Sequence, residues 1–85
     1  MSDLGNAVIS PHAVQQLAKR QLFPEDIHRV LSSPQQVLPV RPGRVVAQSI
    51  DGPHLIRVFV DVDRSPPEVV TAYRTSKISK YWSQS

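Results

Sequence analysis

The chain has 85 residues, ten Lys/Arg against seven Asp/Glu, a formal net charge of +3 and no cysteine. That length admits one small domain, burying roughly 60–65 % of the surface its unfolded chain exposes and leaving no room for a second core; a disulfide framework and thiolate metal sites are excluded. No apolar run nears the ~20 residues of a membrane helix, and residues 1–10 lack the basic start and apolar stretch of a signal peptide, so the expectation is a soluble protein of the cytoplasm.

Residues 1–9 read as a flexible leader. Ser10-Pro11 is a helix start, because Ser caps free backbone N–H groups and Pro suits the first helical position. The helix is expected from Pro11 to about Arg20. Val14, Leu17 and Ala18 make its apolar face, and His12, Gln16 and Arg20 a polar line at fourfold spacing. Pro24 opens a second helix, with Glu25 and Asp26 in the first turn, where the dipole favours acids. Ile27, Val30 and Leu31 form its buried stripe, and Ser32-Ser33-Pro34 ends it. The short link predicts a helical hairpin.

After Pro34 the period changes to that of strands. Gln36–Val40 is a short strand that Pro39 confines to a sheet edge. Arg41-Pro42-Gly43 is a turn, Arg44–Ile50 a strand, and Asp51-Gly52-Pro53 a tight hairpin connection. His54–Val62 is the strongest strand. Ile56, Val58, Val60 and Val62 share one face, and Leu55, Arg57, Phe59 and Asp61 the other. Asp63–Pro67 is a turn. In the last strand, Glu68–Arg74, Val69, Thr71 and Tyr73 share one face and Val70, Ala72 and Arg74 the other. Thr75–Trp82 is read as a short helix and 83–85 as a tail. Helices followed by strands predict an α+β fold: one domain over residues 10–82, with an N-terminal helical hairpin on one face of a three- to four-stranded antiparallel sheet. The opposite sheet face is left for a ligand.

The charge is uneven. Residues 1–40 hold three Lys/Arg and three Asp/Glu; residues 41–85 hold seven and four. Residues 71–85 contain Arg74, Lys77 and Lys80 and no acid. A strand that buries its first half and ends in Tyr, Arg and Lys presents cations and aromatic rings on a rigid frame, which points to RNA as substrate or ligand. The plainer alternative is a solvated basic tail.

His12-Ala13 with Arg20, then Phe23-Pro24-Glu25-Asp26-Ile27, then Val30-Leu31-Ser32-Ser33-Pro34, resembles a family of small uncharacterised bacterial and phage-associated domains. That family is similar to the BrnT and RelE toxins, metal-independent ribonucleases of toxin–antitoxin systems. Val70-Thr71-Ala72-Tyr73-Arg74, followed by Lys77 and Tyr81, resembles the last strand and terminal helix of the group. The resemblance spans roughly residues 10–82. It departs at one place: Thr71-Ala72-Tyr73-Arg74 stands where BrnT-like chains have Ser-Ala-Arg. The resemblance implies a ribonuclease-like fold, an RNA substrate such as mRNA or tRNA, and a cognate antitoxin as partner.

Cleaving RNA without a metal needs a base for the 2′-OH, cations for the charge growing on the phosphorus, and an acid for the leaving 5′-oxygen. His12 is the candidate base or acid, since histidine titrates near neutral pH; otherwise it faces solvent or serves a backbone carbonyl. His28 reads as a surface residue and His54 as structural. Arg57 either covers the sheet with its stem or reaches a phosphate. Arg74 at the strand end has planar donors for phosphate, and Lys77 and Lys80 add point charges. Tyr73 and Tyr81 stack on a base, donate to a phosphate, or pack as half-buried rings. Arg20 and Thr71 complete the candidate RNA contacts. The expected site is therefore His12, Arg57, Tyr73 and Arg74 as catalytic residues, with Arg20, Thr71, Lys77, Lys80 and Tyr81 binding nucleic acid. No cofactor or metal is expected: the histidines lack ligand spacing, there is no Gly-rich phosphate loop, and Asp61 and Asp63 at a strand end are as readily solvated as cation-bound. The alternative is a non-catalytic module of the same fold that binds nucleic acid or a protein.

Overall fold

A computed structural model describes residues 4–84. A 3-10 turn (Leu4–Asn6) precedes helices α1 (Pro11–Ala18) and α2 (Pro24–Ser32). Strands β1 (Gln36–Arg41), β2 (Arg44–Asp51), β3 (His54–Asp61) and β4 (Glu68–Thr75) follow, and α3 (Ile78–Tyr81) closes the order. The strands form one antiparallel meander, β1-β2-β3-β4. This is the α+β layout expected from the sequence. Among the described residues no helix is long and apolar enough to cross a membrane.

Local chemistry sets the helix ends. Ser10 Oγ accepts a hydrogen bond from Ala13 N at 3.1 Å, which satisfies one orphan N–H of α1. The helix stops short of Arg20. Gln21 takes a φ of +58°, and the N–H groups of Gln21 and Leu22 turn back onto the carbonyls of Ala18 and Leu17, the usual way to close a C-terminus. At α2 the Asp26 carboxylate accepts from Phe23 N at 2.9 Å, beside Pro24 in the first turn.

One face of the sheet meets the helices. α1 lies on β4, and α2 on β2 and β3. Leu17, Leu22, Ile27, Val30 and Leu31 pack against Ala47, Ile56, Val58, Val60, Val69 and Ala72 in one apolar cluster. Two placements differ from the expected alternation. Val69 enters this core rather than sharing a face with Tyr73, because the β3–β4 register slips between Phe59 and Val60 and leaves Val70 as the extra residue. Val62 lies beyond the end of β3 and is exposed.

Residues 4–9, within the stretch expected as a leader, pack against the domain. Leu4 and Ala7 are buried in the core cluster. Val8 bridges to β4, donating to Pro67 O at 2.8 Å and accepting from Val69 N at 2.9 Å. The rest of the expected leader, residues 1–3, lies outside the described residues. The outer edge of β4 is thus covered by Val8 and, further along, by Arg20, whose Nη1 donates to Ala72 O at 2.7 Å. β1, with Pro39, is the open edge. The β1–β2 turn needs a glycine: Gly43 has a φ of +85°, and a Cβ there would meet Asp63 Oδ2 at 2.8 Å.

Candidate functional site

The second face of the sheet carries a polar row. Register places Gln36 opposite Gln48, Gln48 opposite Arg57 and Arg57 opposite Tyr73, one residue from each strand. The side chains are joined in that order. Gln48 Nε2 donates to Gln36 Oε1 at 2.8 Å, Arg57 Nε donates to Gln48 Oε1 at 2.8 Å, and Arg57 Nη1 donates to the Tyr73 hydroxyl at 2.7 Å. Gln48 is fully buried.

The C-terminal segment lies over this row. Gln48 Nε2 also donates to Tyr81 O at 3.2 Å. Gln36 Nε2 donates to Ser83 O at 2.9 Å and its Oε1 accepts from Ser83 N at 3.0 Å, so residue 83 is anchored. Tyr81 places its ring centre 4.3 Å from the Arg57 guanidinium carbon; the Phe59 and Tyr73 rings are 5.4 and 5.8 Å away. Tyr73 and Tyr81 meet edge to face at 6.2 Å. The guanidinium is therefore walled by three aromatic rings, which attract it through their faces. Its Nη2 makes no hydrogen bond to protein among the described residues. The Tyr81 phenol lies below the usual tyrosine value, chiefly through hydrogen bonding with the Tyr73 hydroxyl and then through the Lys80 charge.

A second concavity lies on the other side of β4. A groove of about 430 Å³ between α1 and β4 is lined by His12, Gln16, Arg20, Arg64, Glu68 and Thr71, with Leu17 and Val69 among its apolar residues. Arg20 Nη1 bonds Thr71 Oγ1 at 3.2 Å as well as Ala72 O. Asp61 accepts from Arg44 at 2.6 and 3.3 Å and pairs with Arg64 at 3.5 Å; Arg64 also reaches Asp63 and Glu68. The hydrogen bond from Arg44 holds the Asp61 carboxyl below its ordinary value. Asp61 and Asp63 are thus engaged by arginines, and among the described residues no three His, Cys, Asp or Glu side chains group for a metal ion.

The residues expected to share one site are divided among separate places. Arg57, Tyr73 and Tyr81 come together on the second face, with Lys80 Nζ 5.2 Å from the Tyr81 ring centre. His12, Arg20 and Thr71 line the groove. His12 does not join Arg57 because α1 packs on the helix side, against β4. Arg74 does not join it either: it sits opposite the core residue Ile56 and approaches Asp51 at 4.0 Å, on the face away from Tyr73. Lys77 is exposed and precedes α3, its N–H donating to Thr75 Oγ1. Gln36 and Gln48 are the site residues that sequence reasoning missed. The signal for Gln48 was its place on the same strand face as the expected ligand surface, three residues before the Asp51 turn.

Fold and site together define a small α+β domain with a helix-covered core on one side of a meander and an arginine set among tyrosines on the other. Residues 9–74 match the model of a family described as a domain of unknown function, DUF4258. The chain belongs to that family. No curated protein and no solved structure matches it.

Proposed function

We propose that this domain binds single-stranded RNA over the second face of its sheet and cleaves it without a metal. The observation behind this is the Arg57–Tyr73–Tyr81 cluster: an arginine fixed by Gln48 and Tyr73, walled by aromatic rings, beside a phenol with a lowered pKa. The rings offer stacking surface to unpaired bases. Arg57 Nη2 is a charged donor for a phosphate oxygen. Tyr81 in its phenolate form takes the proton of a ribose 2′-OH at Oη as the 2′-oxygen bonds to the adjacent phosphorus. Arg57 stabilises the charge that grows there. The P–O5′ bond breaks, and the 5′-oxygen takes a proton from the Lys80 ammonium, leaving a 2′,3′-cyclic phosphate and a 5′-hydroxyl. The resemblance to BrnT and RelE toxins supports the same chemistry, and with it a cytoplasmic mRNA or tRNA substrate and a cognate antitoxin.

One observation favours a binding module without catalysis. Two of the three Arg57 nitrogens are already bonded to protein, and the Tyr81 ring covers the guanidinium. The deciding experiment incubates purified protein with end-labelled RNA in excess chelator and follows both cleavage and binding. Cleavage by wild type, lost about a hundredfold or more in Tyr81→Phe with binding retained, is the expected result. Binding with no cleavage selects the second function. Absence of binding at any salt concentration removes both.

A further inference from the structure

We infer that the groove between α1 and β4 is a second nucleic-acid site, which takes the phosphate next to the nucleotide held at Arg57. The bound strand then passes over the edge of the sheet at Thr71. The inference rests on the RNA function proposed above and adds a second contact and a minimum substrate length to it.

Three observations carry it. The first is continuity. Thr71 lines the groove, and it also lies on the Arg57 face, opposite Phe59. It stands two residues from Tyr73 on the same strand, roughly 6.6 Å at the strand rise per residue, which is about one nucleotide step. The second is charge. Both acids of the groove already have arginine partners, Asp61 in Arg44 and Arg64 and Glu68 in Arg64. Arg20 has no acidic partner among the described residues, so it is the lining guanidinium left to meet an anion. The third is preorganisation. Arg20 is pinned to the β4 edge by Nη1 alone, through Ala72 O and Thr71 Oγ1. Its Nε and Nη2 have no protein acceptor among the described residues, and a guanidinium fixed at one corner with its other donors free fits a phosphate. At about 430 Å³ the groove falls within the range of sites that take small ligands.

The test uses 2′-O-methyl oligonucleotides, which cannot be cut, in NMR titrations of the labelled protein at low salt, with the octanucleotide titrations repeated over a salt series. A dinucleotide reaches only the Arg57 face; an octanucleotide reaches both places. Arg20→Gln and His12→Glu are compared with wild type. The second variant leaves the Arg20 bonds to β4 in place, so the answer does not depend on one substitution. The expected result is an octanucleotide affinity about tenfold weaker in each variant, as for the loss of one charge-assisted contact, with dinucleotide affinity unchanged. The salt slope for the octanucleotide should fall by about 0.7 in Arg20→Gln. An octanucleotide affinity unchanged in both variants overturns the inference while leaving the Arg57 site intact. Equal weakening of both ligands overturns it as well, because the substitutions would then act through the fold. If wild type binds neither oligonucleotide, the RNA function has failed, and this inference with it.

Discussion

Gln48→Leu should detach the C-terminal segment and cost about 3 kcal/mol of stability. The side chain is fully buried, and leucine replaces it at nearly the same size, so the loss comes from hydrogen bonding and not from a cavity. Three partners are affected. Arg57 Nε loses its acceptor at 2.8 Å; a bond from a charged donor is worth about 1.5–3 kcal/mol. Tyr81 O loses a donor at 3.2 Å, worth about 1 kcal/mol. Gln36 Oε1 keeps Ser83 N at 3.0 Å and so loses little. Water reaching the half-exposed Arg57 and Tyr81 recovers part of the total, leaving about 3 kcal/mol. In a domain of this size that lowers Tm by roughly 12–24 °C. Urea unfolding measures the free energy. Trp82, the only tryptophan in the chain, follows α3 at Tyr81, so its emission reports detachment and should shift to the red. A loss under about 1 kcal/mol with unchanged emission would refute the idea that this network holds the segment down.

Two other predictions concern the fold. Arg44 lowers the Asp61 carboxyl, so the ionised pair contributes fully above the unfolded carboxylate value and its contribution is lost as pH falls through the lower, folded one. Unfolding curves should therefore show stability dropping below about pH 4, and Asp61→Asn should flatten that drop. Gln21→Gly relieves a non-glycine residue at φ +58° just past α1, and thermal or urea unfolding should register a gain of about 1 kcal/mol.

The register of the site was only partly legible. β2 and β3 join through Gly52-Pro53, and Gly52 has the positive φ of a two-residue hairpin loop. Counting back from the Asp51–His54 pair gives Gln48 opposite Arg57 with no further information. The other two pairings could not be counted this way. From the Arg41–Arg44 pair, a regular ladder would set Val37 opposite Gln48. The irregularity between Pro39 and Arg41 moves Gln36 there instead. The slip between Phe59 and Val60 likewise separates Val69 from the face of Tyr73. A bulge depends on packing across the sheet and leaves little mark on the local pattern. The period-two rule did contain the separation of Tyr73 from Arg74, since adjacent strand residues point to opposite faces; grouping them by charge overrode it. Leu4 and Ala7 escaped notice because two apolar residues are too few to set a period.

The two faces of the sheet are closed by different means, and the difference bears on function. The helix side is sealed by aliphatic side chains. On the second face Val46 and Leu55 are buried, yet the row between them is Gln36, Gln48, Arg57 and Tyr73. If that row served only to dock α3, aliphatic residues would do so without the cost of desolvating two amides and a guanidinium. A four-residue helix has no stability of its own, so its cover is only as firm as the contacts beneath it. Here those contacts are hydrogen bonds and ring stacking, and water, phosphate and bases can supply the same interactions. A polar row that gives up packing strength in the middle of a sheet, and is satisfied at every buried atom, is the kind of local inconsistency found where a fold has been shaped by a ligand. Gln48 is polar and fully buried, and Arg57 lies half-buried opposite it in register; the proposed RNA function draws on this equally whether a strand is cleaved or only held.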